Sequence, residues 1–141
     1  MISKKRGLII HAWCLMPSHL HMVISSRNGE SLSAIMRDFK KHSNKKLIEE
    51  IKLINESRSE WLLRASEKAG RLLKRITANK LWKDGNHPVE LYSAELVEQR
   101  VDYIHNNPVE SEIVDEAENY WYSSARDYAG RKGLIDVELV R

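Results

Sequence analysis

The sequence predicts an α+β fold, an antiparallel β hairpin with helices packed on it. Two observations carry this. Residues 7–15 (GLIIHAWCL) and 19–26 (HLHMVISS) are apolar runs rich in β-branched and aromatic residues, joined by a short Met16-Pro17-Ser18 turn. Later stretches instead repeat apolar side chains at helical spacing. At 141 residues with 42% apolar content, the chain is expected to form one domain, 1–141, with its own core. Residues 118–141 form its tail.

After the hairpin, residues 27–30 (RNGE) are a loop. Ser31 or Ser33 can cap a long helix reaching about Asn55, with Leu32, Ile35, Met36, Phe39, Leu47, Ile51 and Ile54 as its apolar stripe. A second helical segment is expected from about Arg58 to Ile76, weakened in its middle. Leu81-Trp82-Lys83 and residues 87–91 read as short strands around an Asp84-Gly85-Asn86 turn. Ser93 then caps a helix with Glu95 in its first turn, where the helix dipole favours an acid. Its apolar positions are Leu96, Val97, Val101 and Ile104, and Pro108 should end it near Asn107. Residues 120–128 read as a short amphipathic helix and 134–140 as a terminal strand.

The single cysteine, Cys14, excludes an internal disulfide framework and suits a cytoplasmic home, with the thiol an inert part of the core. No apolar run is long enough for a membrane span. A net charge of +3 favours a nucleic-acid partner only weakly, but its distribution is uneven. Lys40, Lys41, Lys45 and Lys46 form one basic cluster, and Arg71, Lys74, Arg75 and Lys83 belong to a second. Acids gather between Glu110 and Glu118. These clusters either follow a phosphate backbone or are simply solvated helix faces.

Side chains two apart on a strand share a face, so His19 and His21 point the same way and Leu20 the other. A neutral imidazole pair can hold a divalent metal. The plainer reading is a pair of ordinary polar-face residues. Tyr103 and Asn107, four apart, share one face of the Ser93 helix. A tyrosine hydroxyl is a possible nucleophile and an Asn amide oxygen a possible ligand for a hard cation. Spacing alone equally allows Tyr103 to be a rim residue beside Ile104. His105 points to another side of the helix, and His11 suits a polar or packing role.

Residues 12–21 (AWCLMPSHLH) closely resemble the A-x-x-L-M-P-N-H-x-H signature of single-tyrosine HUH transposases, in particular the REP-associated branch. Residues 102–109 (DYIHNNPV) resemble that branch's Y-I-H-x-N-P-V helix end, and Tyr120 to Ala125 its Y-x-x-S-S-A tail. The resemblance implies a ferredoxin-like antiparallel sheet with helices packed on it. It implies that His19 and His21 are metal ligands, Asn107 the third, and Tyr103 the nucleophile forming a 5′-phosphotyrosine link to single-stranded or hairpin DNA. The metal would be Mg2+ or Mn2+, and the two basic clusters would contact DNA. Ser18 stands where the family usually has Asn. Family members also usually carry a strand and helix before the first segment seen here, so the resemblance leaves three readings open: a fragment, a mis-assigned start, or a sheet completed by a homodimer or a swapped strand. The alternative function is a domesticated or decayed protein that binds hairpin nucleic acid and does not cut it.

Overall fold

The computed structural model describes residues 7–54, 58–71 and 80–140. Two compact units are present, one built from residues up to 32 together with 89 onward, the other from 33–88.

In the first unit, β1 (Leu8–Leu15) and β2 (Leu20–Ser26) form the expected antiparallel hairpin. Met16 N–H donates to the His19 carbonyl (2.8 Å) and closes the turn. Ala12 pairs with Val23 and Cys14 with His21. Directly paired residues share a sheet face, and this face is the buried one: Ala12, Cys14, Met16 and Val23 form a core with Val101 and Ile104. The last two come from α3 (Ala94–Glu110), whose Ser93 cap accepts the Leu96 N–H at 3.2 Å, as its sequence predicted. Ile104 is 1% exposed, and burying such a side chain contributes roughly 1.5–3 kcal/mol. Burial also pushes the Cys14 thiol up to about 11, which leaves it protonated and inert.

α3 does not stop at Asn107. It runs through Pro108 to Glu110. The proline forfeits one helical N–H bond, but its ring is fully buried and its carbonyl accepts the Ile113 N–H at 2.9 Å. Nor is 120–128 one helix. A 3-10 turn, η1 (Ala117–Asn119), leads into a stretch that lies along the free edge of β1: Leu15 N–H donates to the Tyr122 carbonyl (2.8 Å) and Ser124 N–H to that of Trp13 (2.9 Å). Only α4 (Ala125–Tyr128) is helical. It ends in a Schellman motif, with Arg131 N–H on the Arg126 carbonyl (2.8 Å) and Gly130 N–H on that of Asp127 (3.1 Å). Gly130 takes the left-handed φ of 76° this needs. The terminal strand expected at 134–140 is reduced to one ladder-like bond, Glu138 N–H to the Ile10 carbonyl at 2.9 Å.

The second unit holds α1 (Leu32–Ile54), which starts one residue earlier, and α2 (Ser59–Arg71). In α1 Ile35 and Ile48 are buried, whereas Leu47, placed on the apolar stripe by its spacing, is exposed. The two short strands expected around Gly85 are absent, and the described residues hold a two-stranded sheet. The reason is local. His87 has a φ of 47°, outside strand geometry, and Pro88 has no N–H to donate. The segment is anchored instead by side chains of α1. Lys40 Nζ donates to the carbonyls of Lys83 (3.0 Å) and Gly85 (2.9 Å), and Asn44 Oδ1 accepts the Leu81 N–H (2.7 Å). Trp82 lies against Phe39 and donates its indole N–H to Ser43 Oγ at 2.9 Å, so its ring is used in packing. Among the described residues no helix is long and apolar enough to cross a membrane.

Candidate active site

The strand register places His21 on the sheet face that α3 covers, and this decides what meets it. The His19 and His21 rings touch edge to face, with centroids 4.7 Å apart. Tyr103, on α3, brings its ring edge-on to His21 at 5.9 Å between centroids. The contact is made within one chain. Tyr103 remains 49% exposed, so its hydroxyl is accessible to a large substrate. Asn107 lies one turn further along α3 and is half-buried. Among the described residues, the side-chain hydrogen bonds and ring contacts of His19 and His21 are with Ser18, Tyr103 and each other.

The donor set suits a divalent metal. Ser18 Oγ lies 3.1 Å from His19 Nδ1 and orients that ring, leaving Nε2 for a ligand role. The residue at the position where the related signature has Asn thus bonds to the first histidine's ring. Burial of His21, reinforced by the neighbouring His19 and Arg100, lowers its pKa from the ordinary value near 6.5 and keeps it in the neutral, metal-binding form. Among the described residues no third His, Cys, Asp or Glu joins the pair; an Asn amide oxygen is a donor of another type that suits a hard cation.

The sign of the His21 shift gives a testable outcome. In the metal-free protein, its imidazole should titrate below 6.5 by NMR, and Arg100→Gln should bring the midpoint back upward by removing one of the opposing charges. The unfolded chain then binds more protons than the folded one just below pH 6.5, so this group stabilises the fold at higher pH and its contribution is lost as pH falls through that window. A midpoint above 6.5 in the wild type would contradict the packing described.

Arg100 is the residue that the motif reading missed. Its guanidinium carbon lies 5.2 Å from the Tyr103 ring centroid. The signal was available: a cation three residues before the tyrosine shares its helix face.

His11 and His105 have structural roles. His11 occupies a bulge in β1; its Nδ1 donates to the Glu138 carbonyl (2.9 Å) and its Nε2 sits 2.7 Å from Ser25 Oγ. His105 is buried, with Nε2 2.7 Å from Ser124 Oγ and its ring against Tyr128. Ser124 Oγ also accepts the Trp13 N–H (2.9 Å), and Tyr128 donates to the His11 carbonyl (2.9 Å). The tail motif therefore ties α3 to β1, which holds Tyr103 over the hairpin.

A groove of about 540 Å³ runs between α3, η1 and α4, and Tyr103 is on its rim. It does not include the histidine pair. Asp102, Glu110 and Glu118 line it, so it is unfavourable for a phosphate chain.

Of the expected DNA-contacting cations, Lys41, Lys45, Lys46 and Lys83 are exposed, and Lys46 pairs with Glu49 at 3.4 Å. Lys40 is engaged with backbone carbonyls. Lys74 and Arg75 lie outside the described residues, as does the side chain of Arg71.

Residues 1–64, the stretch that holds both histidines, match the family model of the transposases described as IS200-like. This stretch, 64 of the 141 residues, is similar to the IS200-like transposases. A solved structure described as a REP-associated tyrosine transposase bound to a REP hairpin is similar over 99% of this chain and 69% of its own, with 22% identity and a TM-score of 0.58. That likeness establishes a common fold. No curated protein matches the chain. The matched stretch ends well before Tyr103, the residue whose ring meets His21.

Proposed function

We propose that this protein is a metal-dependent strand transferase that cuts and rejoins single-stranded DNA beside hairpins through a 5′-phosphotyrosine intermediate at Tyr103. The observation that carries this reading is the contact of the Tyr103 ring with His21, one of two adjoining histidines, inside one chain. The hairpin named for the similar solved structure supports a hairpin DNA partner here. A homodimer is not required to bring these three side chains together, and a cytoplasmic location accords with a DNA substrate.

His19, His21 and Asn107 would hold Mg2+ or Mn2+. When bound, the ion supplies Lewis-acid stabilisation of charge on the phosphoryl oxygens. The remaining chemistry belongs to the protein. The Tyr103 hydroxyl oxygen attacks phosphorus in line as the phenolic proton passes to solvent. The Tyr–O–P bond forms, the P–O3′ bond breaks, and the 3′ oxygen leaves and gains a proton. One ester replaces another, so a 3′ hydroxyl can reverse the step without an external energy source. Exposed Lys41, Lys45, Lys46 and Lys83 are suited to follow the DNA backbone.

The test is incubation of the full chain with Mn2+ and a labelled single-stranded oligonucleotide carrying an imperfect hairpin, followed by denaturing gel analysis. The expected product is a covalent protein–DNA band that disappears on digestion of the protein. Tight hairpin binding with no covalent product across a set of flanking sequences would replace this reading with that of a binding protein.

A further inference from the structure

We propose that Arg100 is the phosphate-binding cation of this site and grips the phosphoryl group that Tyr103 attacks and then carries. The proposal rests on the reading of Tyr103 as nucleophile. Arg100 precedes Tyr103 by three residues on α3, half-buried, and its guanidinium lies over the tyrosine ring with Cζ 5.2 Å from the centroid. The phenolic oxygen projects from that ring, so a phosphorus bonded to it is within reach of the same side chain.

Charge explains why a cation is needed there. A phosphodiester arrives with a negative charge, and more develops on its oxygens during attack. On the groove side, Asp102, Glu110 and Glu118 add negative potential. Arg100 is the positive group that touches the tyrosine, and among the described residues no carboxylate forms an ion pair with it. Arginine remains charged at any working pH, and its planar fork matches two phosphate oxygens at once. Packing alone explains this placement poorly, because a cation–π contact with a half-exposed ring adds little to stability.

The experiment compares wild type, Arg100→Ala, Arg100→Lys and Tyr103→Phe in the covalent-adduct assay, using the same labelled hairpin oligonucleotide and Mn2+. Hairpin affinity and thermal stability are measured alongside. Arg100→Ala should slow adduct formation on the order of a hundredfold at saturating DNA, the scale seen when one preorganised donor to a developing oxyanion is removed. Hairpin affinity should stay within about twofold, since one phosphate among many contributes little to binding. Arg100→Lys should recover part of the rate, and guanidinium ion added to Arg100→Ala should do the same. An unchanged adduct rate in Arg100→Ala overturns the role of Arg100 and leaves Tyr103 as nucleophile. A slowed rate that neither Lys nor guanidinium recovers, accompanied by a lowered melting temperature, assigns Arg100 to packing and also overturns the proposal. Absence of adduct in the wild type removes the Tyr103 reading, and this one with it.

Discussion

Replacing Tyr103 with Phe should abolish the covalent DNA adduct while leaving the protein folded and able to bind a hairpin. The ring contacts with His21 and Arg100 do not involve the hydroxyl and survive in Phe. The position is half-exposed and lies outside the buried core, so stability should change by no more than about 0.5 kcal/mol. Removing the attacking oxygen removes the only route to a tyrosine ester at this site. The adduct rate should therefore fall on the order of a thousandfold or more, equivalent to roughly 4 kcal/mol of barrier. Adduct formation by Tyr103→Phe at a rate near that of wild type would place the nucleophile elsewhere.

The second large effect is expected from His21→Ala. His21 is the member of the histidine pair that touches the tyrosine, and its surroundings hold it neutral. Losing it should weaken Mn2+ binding, measured directly by electron paramagnetic resonance, and slow the adduct rate by about 10²–10⁴-fold, the several kcal/mol a Lewis acid supplies. His19→Ala should act in the same direction. Because His19 lies just before β2 and its ring is held by Ser18, that change should disturb the fold less. Wild-type Mn2+ affinity in both variants would rule out the histidine pair as the metal site. Measuring metal binding apart from cleavage separates loss of the ion from a shift of Tyr103, which also leans on the His21 ring.

Much of this arrangement was open to reading from residues in series. The hairpin follows from two β-rich runs around Met16-Pro17-Ser18, and strand alternation over residues 19–26 already placed His19 and His21 together. Ser93 caps α3 as expected, and Tyr103 and Asn107 fall a turn apart on it. The failures have physical causes. Residues 87–91 are β-like in composition, yet the left-handed φ of His87 and the missing N–H of Pro88 bar them from a ladder. Pro108 should have ended α3, but burial of its ring outweighs one absent hydrogen bond. Residues 120–124 have an amphipathic look, but their backbone is taken up by the edge of β1, whose groups would otherwise lack partners.

The sequence by itself determined the local features: the two strands and their turn, the shared face of the histidines, the cap of α3 and the helical phase of Tyr103. These depend on periods of two and of 3.6 residues and on caps a few residues away, so neighbouring residues suffice to specify them. Only the tertiary structure decided that α3 covers the Cys14 and His21 face, that Ser124 and His105 tie it there, and that His21 meets Tyr103. Those contacts join residues far apart in the chain, and what selects them is the burial of Val101 and Ile104 against the hairpin, a property of the packed core rather than of any one segment.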